Sequence, residues 1–447
     1  MTDTIDEPVV PKEDSEAQTG GEAAAASAID EEALIALAPE VLADSLSGYF
    51  RAWWKRIRGG ESGALPIIAG LIVICIFFEV QSSSFLHAGN IVNLFIQATA
   101  IILLGMAELY ALILSEVDLS VGFVGAVGAT VALALMGAPQ NWPWWAAVIV
   151  GLLASAVIGA FQGTVITRLK IPSFVVTLAG LLGWQGVMIY IFDVDKGAVG
   201  GVITISNNVI NDLVSGSMTP AAGWILLVAL VAVFGATAVF RTARRRTQGL
   251  SAPPISITVL NIAAVAVAGA VVVWVCNLNR GTLVPLEGVP WVIPVLVVIV
   301  FAQSFLLQRT RLGRYFYAIG ASPEAARRAG IKVARIRTIA FALCSFTAGM
   351  ALIVYASRLG SFSVGYDGGT TVLYAIAAAV IGGASLFGGY GKVVHPILGG
   401  LVIATLTNGL ALLNITTAGT DIATAAVLLV AVAVDSTLRH RGQSGAL

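Results

Sequence analysis

Apolar stretches of roughly twenty residues recur from residue 65 almost to the end of the chain, and they restrict the fold more than any motif does. They lie near 65–82, 91–114, 119–137, 145–167, 172–192, 221–240, 255–276, 289–307, 338–356, 371–388, 393–413 and 421–437. In a bilayer every backbone N–H and C=O must be satisfied within the protein, so segments this long close their hydrogen bonds as helices. Only 11% of the residues are charged, against roughly 25% in soluble domains, and 57% are hydrophobic. The expected fold is an all-α polytopic membrane protein of about twelve transmembrane helices, some of them broken or re-entrant.

The net charge of zero hides an asymmetry. The first 50 residues hold twelve of the 25 acidic residues and one base, Lys12. Residues 1–44 are read as an acidic, disordered cytoplasmic tail; without a basic start and an apolar core they are not a cleaved signal peptide. In 45–64, Phe50, Trp53, Trp54 and Ile57 recur at helical spacing among Arg51, Lys55, Arg56 and Arg58, the pattern of an amphipathic interfacial helix lying against membrane lipid. Residues 65–440 form the transmembrane domain. If the chain starts inside and every span crosses, only Lys196, Arg280 and Arg358 fall outside, so both termini are expected in the cytoplasm. The outer loop 193–220 is expected to be ordered only where a partner docks. The 48 glycines fit close packing between helices.

The largest basic loop, 308–337, contains a short helix signal, SPEAARRAG. Ser322 caps it, Pro323 suits its first position, Glu324 meets the positive end of its dipole, Arg327 and Arg328 the negative end, and Gly330 stops it. Ala325, Ala326 and Ala329 are expected to face outward and lie against a groove on another protein. Two spans look broken, at EVDLSVG (116–122) and GSFSVGYDGG (360–369); the shared S-V-G before a small-residue helix, on opposite faces, is what an inverted repeat leaves behind.

Machinery for covalent chemistry is missing from the sequence. GGYGK (388–392) lacks the phosphate-loop spacing and reads as a turn, and no HExxH, CxxC or nucleophile elbow occurs. Cys75, Cys276 and Cys344 read as small core residues, and His87, His395 and His440 as structural. The chain is therefore not expected to be an enzyme or to bind a metal or cofactor. The polar groups within the spans are mainly neutral: Asn93, Gln97, Gln162, Thr177, Gln185, Asn261, Gln303, Thr347 and Asn408, with Trp184 and Tyr374 nearby. With Glu108, Glu116, Asp118 and Ser120, a subset of these (Asn93, Gln97, Thr177, Gln185 and Asn408) are the candidates for a translocation pathway. No Lys or Arg is embedded deeply enough to bind an anion, which favours a neutral polar solute.

EVDLSVG, IPSFVVTLAGLLGWQGV (171–187), YAIGASPEAARRAGIKVARIR (317–337) and AVIGGASLFGGYG (379–391) together resemble the permease subunit of bacterial monosaccharide ABC importers, the ribose and xylose group. The resemblance spans about 65–440, and the extra spans around RTARRRTQGLSAPP (241–254) are most similar to xylose-type permeases. It implies a permease of the bacterial inner membrane for D-xylose or a similar pentose. It implies a second permease copy, a cytoplasmic ATPase subunit holding ATP and Mg, and an external sugar-binding protein, with no nucleic acid. It also implies that Ser322–Gly330 is the coupling helix. The long acidic tail and Glu108 depart from the pattern. An ABC permease for another sugar, a nucleoside or a branched-chain amino acid, a twelve-span secondary transporter, and a non-transporting receptor remain as alternatives.

Overall fold

A computed structural model describes residues 64–195, 197–248, 254–281 and 285–429. The acidic tail, the interfacial segment apart from Ala64, and the terminal RHRG lie outside the described residues.

Among the described residues eight helices are long and apolar enough to cross a membrane: α2 (Ala88–Ile113), α4 (Trp144–Leu169), α5 (Ser173–Val194), α7 (Pro220–Thr247), α8 (Ile255–Asn277), α9 (Val292–Arg309), α12 (Val333–Leu359) and α14 (Val394–Leu412). Four shorter apolar helices accompany them: α1 (Leu65–Gln81), α3 (Val121–Met136), α13 (Gly368–Ile381) and α15 (Thr417–Leu429). Each coincides with one of the apolar stretches, and the protein is a polytopic helical membrane protein. The remaining elements are short: α6 (Asn208–Ser215), α10 (Arg311–Ala321), α11 (Pro323–Arg328), and the strands β1 (Val202–Thr204) and β2 (Ser361–Ser363).

The spans differ little in apolarity but greatly in burial. In its most apolar window α2 is 83% buried and α7 only 6%, so α2 is central and α7 keeps an apolar surface outward. Around α2 pack α12, α14 and α13; α12 in turn packs against α4 and α3. Small residues permit this closeness. A side chain on Gly122, at the start of α3, would overlap the carbonyl oxygen of Gly368, at the start of α13. The helices that follow the two breaks therefore meet at their starts inside the fold.

Most of the fold belongs to one compact unit. Val228–Ala268 falls in a second, in which the Thr242 and Thr258 hydroxyls lie 3.5 Å apart and Gly235 faces the Ile262 side chain.

Several expectations need correction. The loop 193–220 is ordered by its own contacts: β1 pairs antiparallel with β2, Ile203 opposite Phe362, and Ile203, Ile210 and Val214 enter the core. Its apolar residues, spaced among Asn, Ser and Gly, supply burial within the chain itself. The span expected over 371–388 is the shorter α13, ended by Gly382 and by Gly383 at φ +105°. Finally, Ala326 does not face outward: it is 4% exposed and packs inward, leaving Ala325 and Ala329 exposed.

Candidate coupling and pathway site

The short basic helix forms where its caps place it. The Ser322 hydroxyl accepts the Ala325 N–H at 3.2 Å, Arg328 pairs with Glu324 at 3.2 Å, and Gly330 turns the chain at φ +83°. Both members of that pair are exposed, so its value is local. The preceding segment, expected to be a basic loop, is the amphipathic helix α10, capped by the Thr310 hydroxyl.

Through α10 the short helix reaches the C-terminal end of α2. A side chain on Gly320 would overlap the Ile113 carbonyl, so only glycine lets α10 approach this closely. The Ser115 hydroxyl donates to the Phe387 carbonyl at 2.7 Å and lies 3.4 Å from that of Gly320. The Gly389 N–H donates to Ile113 O at 2.9 Å, and the Tyr317 hydroxyl to Gly391 O at 2.6 Å. Three segments far apart in sequence, 113–115, 317–321 and 387–391, are thus tied into one junction.

Directly after that junction the chain leaves helical geometry. Ser115 is left-handed at φ 61°. Beyond it Asp118 turns back on itself, its Oδ1 accepting the Ser120 N–H at 2.9 Å and the Ser120 hydroxyl at 2.6 Å, a side-chain competition for backbone donors that breaks helices. Neighbouring helices hold the break. Glu108 on α2 accepts the Asp118 N–H at 3.1 Å, Gln162 on α4 donates to the Ser120 hydroxyl at 2.9 Å, Thr177 on α5 donates to Val117 O at 3.3 Å, and the Cys344 thiol on α12 donates to Asp118 Oδ2 at 3.7 Å. Glu116 pairs with Arg337 at the start of α12, 3.2 Å apart. Glu108, Asp118, Ser120 and Thr177 are completely buried, and Glu108 Oε2 has no hydrogen-bond partner.

Of the nine pathway candidates, Glu108, Glu116, Asp118, Ser120 and Thr177 converge here as a packed polar core. Asn408 lies elsewhere, exchanging two hydrogen bonds of 2.8 and 3.0 Å with Asn90, about 27 Å along α2 from Glu108 at 1.5 Å per residue. Asn93 is exposed, and Gln97 and Gln185 are half-buried; none of the three joins the cluster. Sequence reasoning missed Ser115, Tyr317, Gly320 and Gly389 as junction residues and Arg337 as the partner of Glu116. The one signal available was the crowding of glycines in AIGAS and GGYG, which marks close approach without saying to what.

Comparison with known proteins fits this architecture. The family described as the branched-chain amino acid transport system, permease component, matches residues 90–432, and the chain belongs to it. It is a multi-pass transport permease. The xylose transport system permease protein of Escherichia coli K12 is 32% identical over 393 residues, covering 86% of this chain and 96% of its own length. The D-allose transport system permease protein and the ribose import permease protein of the same organism are each 27% identical, covering 86% and 83% of this chain and 93% and 92% of their own lengths. The likeness to ribose- and xylose-type permeases therefore extends over nearly the whole of those relatives. No solved structure matches the chain.

Proposed function

We propose that this chain is the permease subunit of an ATP-driven importer for a neutral monosaccharide, D-xylose or a similar pentose. It works as one of two copies with a cytoplasmic ATPase, which holds ATP and Mg, and an external sugar-binding protein. Both of its termini lie in the cytoplasm. The observation that carries the reading is the continuous tie from α11 through α10 to the end of α2 and on to the Asp118 break. Closure of the ATPase pushes α11, and the junction at Ser115, Gly320 and Gly389 passes that displacement to the broken segment. A push has this effect only if the partner binds the two permease states differently.

The solute class is supported by charge. A zwitterionic amino acid brings a carboxylate that needs a cation, and the only cation ion-paired to the Asp118 segment among the described residues, Arg337, is committed to Glu116. A sugar needs only hydrogen-bonding partners, and xylose, allose and ribose permeases are the relatives named above.

The test is reconstitution of the permease, ATPase and binding protein in proteoliposomes. Ala325→Trp or Glu324→Lys on α11 is expected to lower both xylose uptake and sugar-stimulated ATP hydrolysis at least tenfold while leaving the melting midpoint of the permease unchanged. Normal coupled transport in both variants would remove α11 from the mechanism, and uptake of leucine in preference to xylose would replace the solute.

A further inference from the structure

A cavity of about 590 Å³ opens beside α11, between the connection from α4 to α5 and the start of α12. Four cations line it, Lys170, Arg327, Lys332 and Arg337, with one carboxylate, Glu116. That carboxylate is committed to Arg337, whose Nε nevertheless stays buried without a partner. Lys170, Arg327 and Lys332 are exposed and make no ion pair among the described residues. Converging like charges repel one another unless an anion joins them. The N-terminus of α5, a helix of 22 residues, adds to the same sign of field: Ser173 is on the cavity wall and Pro172, at the cap position, supplies no side-chain acceptor for the first N–H groups.

We propose that this cavity binds a phosphate-bearing anion. An anionic lipid headgroup and soluble phosphate share that chemistry. The lipid fits the surroundings better, because the rim next to the cavity carries exposed Leu169, Phe174 and Leu178 against which acyl chains would lie, and basic pockets between helices on the cytoplasmic side suit such headgroups. Occupation bridges α4–α5 to α11–α12, so it stiffens the ground on which the short helix stands. The proposal stands whether or not the solute and the coupling route are as inferred above.

The test uses the purified full-length permease in zwitterionic detergent. Its melting midpoint is followed with added phosphatidylglycerol, with phosphatidylcholine, and with inorganic phosphate. Phosphatidylglycerol is expected to raise the midpoint by several degrees and phosphatidylcholine not to. The rise is expected to vanish in the double variant Lys170→Asn with Lys332→Gln, and to shrink in Arg327→Gln. Asn is chosen at 170 because it tolerates the left-handed φ of 55° there. A control, Arg244→Gln with Arg245→Gln on α7, is expected to keep the full rise. Inorganic phosphate giving the same rise, lost in the same double variant, supports the site and assigns it to a soluble phosphate. A rise undiminished in both cavity variants, or lost equally in the control, overturns the proposal.

Discussion

At the scale of the residue, Glu108 shows how a carboxylate within a long apolar helix is absorbed. It is fully buried in α2 and accepts the Asp118 N–H, and so holds the returning chain. Glu108→Gln keeps an acceptor in the same place and is expected to unfold within about 1 kcal/mol of the wild type, because no buried group loses its partner. Glu108→Ala leaves the Asp118 N–H unsatisfied and opens a void, and is expected to lose about 2–4 kcal/mol. Denaturant unfolding in detergent separates the two, and equal stability of Gln and Ala would mean that the Asp118 amide is satisfied elsewhere. Asp367, at the exposed start of α13, gives a pH-dependent counterpart. Hydrogen bonds from the Thr370 hydroxyl, at 2.6 Å, and the Thr370 N–H, at 3.0 Å, hold its carboxyl below the usual carboxylate range. A depressed folded-state value contributes stability above the unfolded value, about 3.9, and loses it as pH falls through the folded one. The stability advantage of wild type over Asp367→Ala is thus expected to be constant near neutrality and to narrow below about pH 4. A gap unchanged between pH 7 and pH 3 would assign the whole effect to the uncharged cap.

At the scale of the element, what could be read in advance follows a physical division. Local chemistry was legible: Ser322, Pro323 and Gly330 fix α11 within a few residues, and the apolar stretches fix the spans. Contacts between distant segments were not. Nothing around Ser115 announces that its hydroxyl meets the Phe387 carbonyl, and nothing in 193–220 announces that Ile203 will pair opposite Phe362. Ala326 was misplaced for the same reason, since a six-residue helix has no periodicity from which to read its buried face. The carboxylates at 108, 116 and 118 were legible as candidates, while their assembly with Gln162 and Cys344 depends on how four helices pack. The cap itself makes a prediction. α11 is too short to persist alone, so losing a cap worth about 1 kcal/mol frays it while the spans stay intact. Ser322→Ala is expected to reduce sugar-stimulated ATP hydrolysis severalfold at an unchanged melting midpoint, and Ser322→Asp to restore it. Full activity in Ser322→Ala would show that contact with the partner alone forms the helix.

At the scale of the whole molecule, the question is which ends of the helices share a face, because α13 is only 14 residues long, about 21 Å, against a hydrocarbon layer of about 30 Å. Length alone therefore leaves its crossing open, but the contacts of the main unit answer it. α12, of 27 residues, starts beside α11 and ends at β2, which pairs with β1 in the 193–220 segment. The turn after α13 is nevertheless back against α10, through Tyr317 to Gly391, and against the end of α2, through Ser115 to Phe387. α12 and α13 therefore run in opposite senses between those two ends, joined through the extended residues 360–367. The face that gathers 113–116, 167–173, 311–337 and 387–392 carries Lys170, Arg327, Lys332 and Arg337, while the face of β1 and β2 carries Arg280 and Arg358, so the positive-inside rule predicts that the first meets the cytoplasm, as the topology proposed above requires. Single cysteines test this directly in a background of Cys75→Ala, Cys276→Ala and Cys344→Ser, the serine keeping a donor for Asp118. In intact cells a membrane-impermeant maleimide is expected to label Val209→Cys but neither Ala325→Cys nor Phe387→Cys, and to reach the latter two after permeabilisation; all three positions are exposed. Labelling of position 387 from outside would mean that α13 does not return, and the junction at Ser115 would then have to form in some other way.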